Sequence, residues 1–312
     1  MALVLGLAVA LVLLASLFAY ALATSGNSEE PDDEVVEVDY QNEDYELPSK
    51  DDTPPELEIP TSDEAVTLTQ ANPIYAVSLA VPVRCSTGPV GDGTTVDDAV
   101  LQAHFEEFVA CLTRVWGPAL EEAGLIAYQP TVTVFPAGGT VNTQCGTAES
   151  NNAFYCAADQ SLYLASDVLD ALPQELAEHR FTLDLIMAHE YGHAMQGRSG
   201  IFAGGLILMN EADESEAMEL NRRLEVQADC FAGTVTNSLA ESMGLTDDDR
   251  AAFGQVTYEI GDDRLQERFG GDPTTPGDHG TGENRKMWAE RGLAADSVGA
   301  CNTFVADPEE VK

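Results

Sequence analysis

His189-Glu190-Tyr191-Gly192-His193, followed later by Arg222-Arg223-Leu224-Glu225-Val226-Gln227-Ala228-Asp229, are the stretches whose reading decides the fold. The first is a His-Glu-x-x-His motif inside a helical pattern. Residues i and i+4 share a helix face, so both imidazoles can reach one metal ion. Glu190 flanks that face and is placed to take a proton from water without being a ligand. A zinc site of this kind needs a third protein ligand and one open position. One class of such sites extends the motif with Gly and His three and six residues beyond the second His. Gln196 and Ser199 stand there, so that class is excluded. The second stretch offers the alternative. Glu225 and Asp229 are again i and i+4 beside an apolar stripe. Glu225 is assigned as third metal ligand, with Asp229 accepting the remaining ring N–H of a ligand histidine. Between the two stretches Gly197, Gly200, Gly204 and Gly205 suit a reversing loop.

Working outward, apolar residues at Leu101, Phe105, Phe108, Leu112, Val115 and Trp116 predict a helix from about Val96 to Glu122, capped by Thr94 or Thr95 and ended by Gly124. Thr131–Phe135 reads as a β-branched strand, and Ala153–Ala165 carries a second strand signal centred on Ser161–Leu164. Helices are expected over about Phe181–Gln196 and Glu214–Met243, the latter stopped by Gly244. Another begins after Thr246, with Asp249 as its capping-box partner. Strands early and helices late argue an α+β domain, mainly helical with a small sheet, over residues 71–312.

Ahead of it lie two different materials. Met1–Ala23 is uncharged and apolar, long enough to cross a bilayer as one helix. Its length favours a signal anchor over residues 1–24. A signal peptide cleaved near Ala23, after Ala21-Leu22-Ala23, is the alternative. The chain is therefore expected to be extracytoplasmic, single-pass and membrane-anchored, or secreted if cleaved. Residues 25–70 read as an acidic, disordered, self-repelling linker: from Glu29 to Glu64 there are 16 acidic residues and one basic residue, Lys50. All six cysteines follow. An even number behind an export signal suggests disulfides; six cysteines allow 15 pairings, among which the sequence does not choose. Pairing of neighbours, Cys85–Cys111, Cys145–Cys156 and Cys230–Cys301, is the expectation. The whole chain has 54 acidic residues against 14 basic ones and a formal net charge of −40. Such a surface repels phosphate backbones, so nucleic acid is excluded as a partner. Nothing in the sequence speaks to oligomeric state.

Of the other histidines, His104 and His179 read as structural or surface residues. His279, in Gly277-Asp278-His279-Gly280-Thr281-Gly282, can reach the site and stabilise an oxyanion as a catalytic group.

The chain resembles the bacterial "putative neutral zinc metallopeptidase" family from about Ala76 to Phe304. The resemblance rests on Cys145-Gly146, Phe154-Tyr155-Cys156 with Asp159, Tyr163-Leu164, the motif at 189–193 and Arg223–Gly233 (RLEVQADCFAG). It continues through Ile260–Gln266 (IGDDRLQ), His279–Arg285 (HGTGENR) with Trp288, and Cys301–Phe304. Ala157 and Ala289 depart from the usual pattern. The resemblance implies a zincin-like α+β domain, a Zn2+ cofactor, and hydrolysis of peptide bonds in a peptide or protein substrate. Read together, these features suggest a zinc-dependent endopeptidase with Glu190 as general base. The rival is a non-catalytic, zinc-containing extracytoplasmic binding module, against which Glu190 itself speaks. A calcium-binding protein would need an Asp-rich loop with a central Gly, which is missing. By fold analogy the strand around Tyr163 is expected to pair with extended substrate at its edge.

Overall fold

Thr61 and Glu64 open helix α1 (Ser62–Gln70) inside the segment expected to be linker: the Glu64 carboxylate accepts the Thr61 N–H at 2.8 Å. The computed structural model describes residues 38–90 and 96–312, with Tyr40–Lys312 as one compact unit. Residues 40–70 therefore correct the linker expectation. Asn42 donates to Arg114 O at 3.0 Å, Tyr45 to Glu121 at 3.1 Å, and Lys50 pairs with Glu106 at 2.7 Å. The acidic average conceals a few groups with specific partners on the domain. The apolar run Met1–Ala23, residues 25–37 and the expected caps Thr94 and Thr95 lie outside the described residues. Among the described residues no helix is long and apolar enough to cross a membrane.

Helix α2 (Asp98–Glu122) is capped by Asp97, whose side chain accepts the Ala99 N–H, and it buries the six apolar residues of its stripe. Five short strands follow: β1 (Val132–Phe135), β2 (Thr140–Thr143), β3 (Gly146–Glu149), β4 (Ala153–Cys156) and β5 (Ser161–Ala165). The Ala153–Ala165 signal is thus two strands joined by a tight turn, and the β2–β3 hairpin is an element the sequence did not announce. The main sheet has the order β1-β5-β4, parallel between β1 and β5 and antiparallel between β4 and β5. Buried β5 is central. Tyr163 therefore lies on no edge, and the expected edge pairing there is corrected: β4 is an edge strand.

After a one-turn helix α3 (Gln174–Ala177) comes the helical half: α4 (Thr182–Ser199), α5 (Ile201–Glu211), α6 (Glu214–Met243), α7 (Asp247–Glu259), α8 (Asp262–Phe269) and α9 (Gly282–Leu293). The expected reversing loop is helix α5 instead. Only Gly200, with φ of 79°, makes the reversal. Gly204 serves packing: a Cβ there would stand 3.0 Å from Ala65 O of α1. Thr246 and Asp249 form the expected capping box of α7. Helix α6 packs against both α4 and α9, through Ala228 and Cys230. Gly192 of α4 lies against Ala228, where a Cβ would sit 2.9 Å from Ala228 O and 3.0 Å from its Cα. Two helices this close carry the two motifs face to face. Disulfides join Cys85–Cys111, Cys145–Cys156 and Cys230–Cys301, the neighbour pairing.

Candidate metal centre

His189 and His193 project from α4 toward Glu225 on α6. The His189 Nε2 is 3.5 Å from Glu225 Oε2 and the His193 Nε2 is 3.5 Å from Glu225 Oε1. One ligand atom from each of the three lies within 4.8 Å of the others. The outward ring nitrogens are both engaged. His189 Nδ1 is 2.8 Å from Asp229 Oδ1, and His193 Nδ1 is 2.8 Å from Gln196 Oε1. The Gln196 amide is fixed the right way round because its NH2 donates to Leu224 O at 2.7 Å and Gln227 Oε1 at 3.2 Å. Both Nδ1 atoms therefore donate, which leaves both neutral imidazoles with an Nε2 lone pair aimed at Glu225. Two lone pairs and a carboxylate converging in a buried place need a cation between them. The donor set N, N, O is that of a zinc site with an open position, so these residues fit zinc.

Without a metal, a proton takes that role. Burial works against protonation of His189, but Asp229 and Glu225 outweigh it and push its pKa up to about 10. Burial likewise raises the Glu225 pKa, yet the facing imidazoles hold it well below the ordinary carboxylate range. Metal binding must displace such protons.

Around this centre the supports are buried. Arg285 of α9 donates to Asp229 through Nε at 2.9 Å and through one terminal nitrogen at 3.0 Å, and through the other terminal nitrogen to Ile260 O at 3.2 Å. It compensates the Asp229 charge and aims the carboxylate at His189. Glu190 is buried, lines the cleft beside the three converging groups, and is not one of them. The cleft has a volume of about 450 Å³. His279 lines it too, with 51% of its side chain exposed. Its Nδ1 is 2.8 Å from Asp278 and 3.5 Å from Asp262, and Asp262 also accepts the backbone N–H groups of His279 and Gly280. The bond to Asp262 raises the His279 pKa, burial opposes it, and Glu225 adds to the rise.

The structure thus brings together His189, Glu190, His193, Glu225, Asp229 and His279, from α4, α6 and the loop before α9. His104 and His179 lie elsewhere and each meets a carboxylate, Asp184 at 2.5 Å and Asp249 at 3.3 Å. Sequence reading missed Gln196 and the part played by Arg285. Gln196 sits at i+3 from His193 on the same face, a spacing that would have found it. Arg285 was visible only as the last residue of a motif.

A family described as "Putative neutral zinc metallopeptidase" matches residues 86–304. The uncharacterized protein YpfJ of Escherichia coli (strain K12) is 33% identical over 209 residues, covering 65% of this chain and 71% of that protein. The uncharacterized protein Rv2575 of Mycobacterium tuberculosis (strain H37Rv) is 30% identical over 240 residues, covering 70% and 78%. No solved structure matches the chain.

Proposed function

Because the chain belongs to the family described as "Putative neutral zinc metallopeptidase", we propose that it is a zinc-dependent endopeptidase with a zincin-like fold. The observation that carries the reading is the convergence of His189, His193 and Glu225 with both Nδ1 atoms committed elsewhere. Zinc held by these three residues would supply Lewis acidity, polarising a scissile carbonyl and making water acidic enough to lose a proton near neutral pH. Glu190 accepts that proton as water attacks and passes it to the leaving amine. His279, held by Asp262 and Asp278 with a raised pKa, offers a proton or a hydrogen bond to the oxygen that gains charge. Asp229 and Gln196 keep the ligand rings in the required tautomer, and Arg285 keeps Asp229 ionised. The substrate strand runs along edge strand β4, whose residues Ala153, Phe154 and Tyr155 line the cleft. The N-terminal apolar run anchors or exports the domain, and the three disulfides support a site outside the reducing cytoplasm.

The test is a peptide-library digest with the zinc-loaded full chain, its chelator-stripped form and the zinc-restored form, with zinc measured on each. About one zinc per chain, and cleavage that disappears and returns with it, supports the reading. Full zinc occupancy with no cleavage in any library favours a binding module.

A further inference from the structure

The β2–β3 hairpin needs a fastening. Its two four-residue strands form a sheet of their own, and a two-stranded ribbon by itself is marginal in water. Val141 packs on a small apolar cluster of Phe135, Cys156, Tyr163 and Ala165, joined by Phe154. The Phe154 and Tyr163 rings stack there with centres 5.0 Å apart. Side chains alternate along a strand, so Phe154 and Cys156 point to one face of β4, and Ala153 and Tyr155 to the other. Tyr155 faces α4: its hydroxyl stands 2.8 Å from where a Cβ on Gly197 would be. The hairpin therefore covers the sheet face that α4 does not.

Its base and its tip are held differently. At the base the Gly138 and Asn151 N–H groups donate to the two oxygens of Asp167, at 2.9 Å and 2.7 Å, and the Ala137 N–H donates to Ser166 Oγ at 3.0 Å. At the tip the Gln144 N–H donates to Asp159 at 3.3 Å, and the Cys145–Cys156 disulfide supplies the covalent tie. The three disulfides also differ in access. Cys85, Cys111, Cys230 and Cys301 are all buried, which closes both ends of the other two bridges. Cys156 is buried as well, but Cys145 is exposed. Exchange requires a thiolate to reach a sulfur atom, and Cys145 is where one can.

We infer that the Cys145–Cys156 bridge is an exchange site for a dithiol, and that opening it frees the hairpin tip and loosens the β4 wall of the cleft. One thiolate of the dithiol attacks Cys145 Sγ. The S–S bond breaks, and Cys156 leaves as a thiolate that takes up a proton. The second thiol, deprotonated, attacks the dithiol's own sulfur in the mixed disulfide and releases Cys145, which is protonated in turn. The dithiol is oxidised to a disulfide and the protein bridge is reduced, two electrons passing between them. Asp167 still holds the base, so the hairpin swings without leaving the domain. The strain of that motion falls on residues 151–155, which follow the hairpin directly and line the cleft. Neither cysteine lies on α4 or α6, so the metal ligands keep their places.

The test treats the folded full chain with dithiothreitol, traps thiols with iodoacetamide at intervals and locates the labels by mass spectrometry. Cys145 and Cys156 should be labelled about tenfold or more faster than the other four cysteines. Reagents are then removed, zinc is restored, and hydrogen exchange is measured. Exchange should rise over residues 140–156 and stay as in the untreated chain over α4 and α6. The double variant Cys145→Ser with Cys156→Ser carries no label and should show the same local rise without any reductant. Labelling of all six cysteines at one rate, or of another pair first, overturns the exchange site. Selective labelling with unaltered exchange over 140–156, in the treated chain or in a folded double variant, overturns the release of the hairpin. A rise that extends over α4 and α6 shows that the bridge supports the whole domain, and overturns the local device.

Discussion

At the scale of single residues the site is a chain of dependence: Arg285 holds Asp229, Asp229 holds His189, and His189 with His193 faces Glu225. Each link removes one rotational or tautomeric freedom from the ligand set. Asp229→Ala should therefore weaken zinc affinity by roughly 10–100-fold, measured by competition with a chromogenic chelator; unchanged affinity would mean that the His189 tautomer is set elsewhere. Most of this chain was readable in advance. The i, i+4 pairs of 189/193 and 225/229 point to a shared face whatever the rest of the fold does. What could not be read was which histidine Asp229 would serve, because that depends on the angle between two helices. Nor could reading the residues show that His104 and His179 have carboxylate partners, since Asp184 and Asp249 lie distant in sequence or on another element.

At the scale of elements, contact distance matters more than propensity. Gly192→Ala would raise helix propensity by about 1 kcal/mol. The new Cβ would also stand 2.9 Å from Ala228 O, against backbone that cannot rotate away. Overpacking of this kind costs about 1–3 kcal/mol, so the variant should melt lower than the parent despite the better helix former, and should bind zinc less well as α4 and α6 separate. A higher melting temperature with normal zinc affinity would contradict the close approach. A second element-scale prediction concerns Arg180, just before α4, and Asp249, in the α7 capping box, joined by a fork whose Nε bond is 3.1 Å. Burial raises the Asp249 pKa, but Arg180 and Thr246 outweigh it and hold it well below the ordinary carboxylate range. A depressed folded-state pKa contributes stability above about pH 4 that is lost as pH falls further. Asp249→Asn should thus be less stable than the parent at pH 6 in urea unfolding, with the gap shrinking toward pH 3. A gap that is constant with pH would show that the carboxylate charge contributes nothing. The same logic explains the elements misread from sequence. The glycines between the two motifs look like a loop because Gly is a poor helix former, yet Gly204 is chosen for the closeness of Ala65. The strand signal at 153–165 hid a turn because Gln160 adopts a positive φ, of 53°, without being glycine.

At the scale of the whole molecule, an acidic chain is held together by packing and by covalent ties. The domain with its mainly helical build and small sheet was legible, since periodicity over long helices is a strong signal. The packing of residues 40–70 on the domain was not, because a composition average over residues 25–70 cannot see that Tyr45 lies on α2 or that Thr61 caps α1. The three disulfides close spans of 26, 11 and 71 residues, and thiol titration of the denatured, unreduced protein should find no free thiol; several would contradict the pairing. The central claim is that this assembly hydrolyses peptide bonds with Glu190 as base at a zinc held by His189, His193 and Glu225. Glu190→Gln keeps the size of the side chain and removes its basicity. The most direct measurement is the hydrolysis rate of one peptide that the parent cleaves, taken on parent and Glu190→Gln samples of matched zinc content and melting temperature. The account predicts a loss of about 10²-fold or more in the variant; hydrolysis at the parental rate would contradict it.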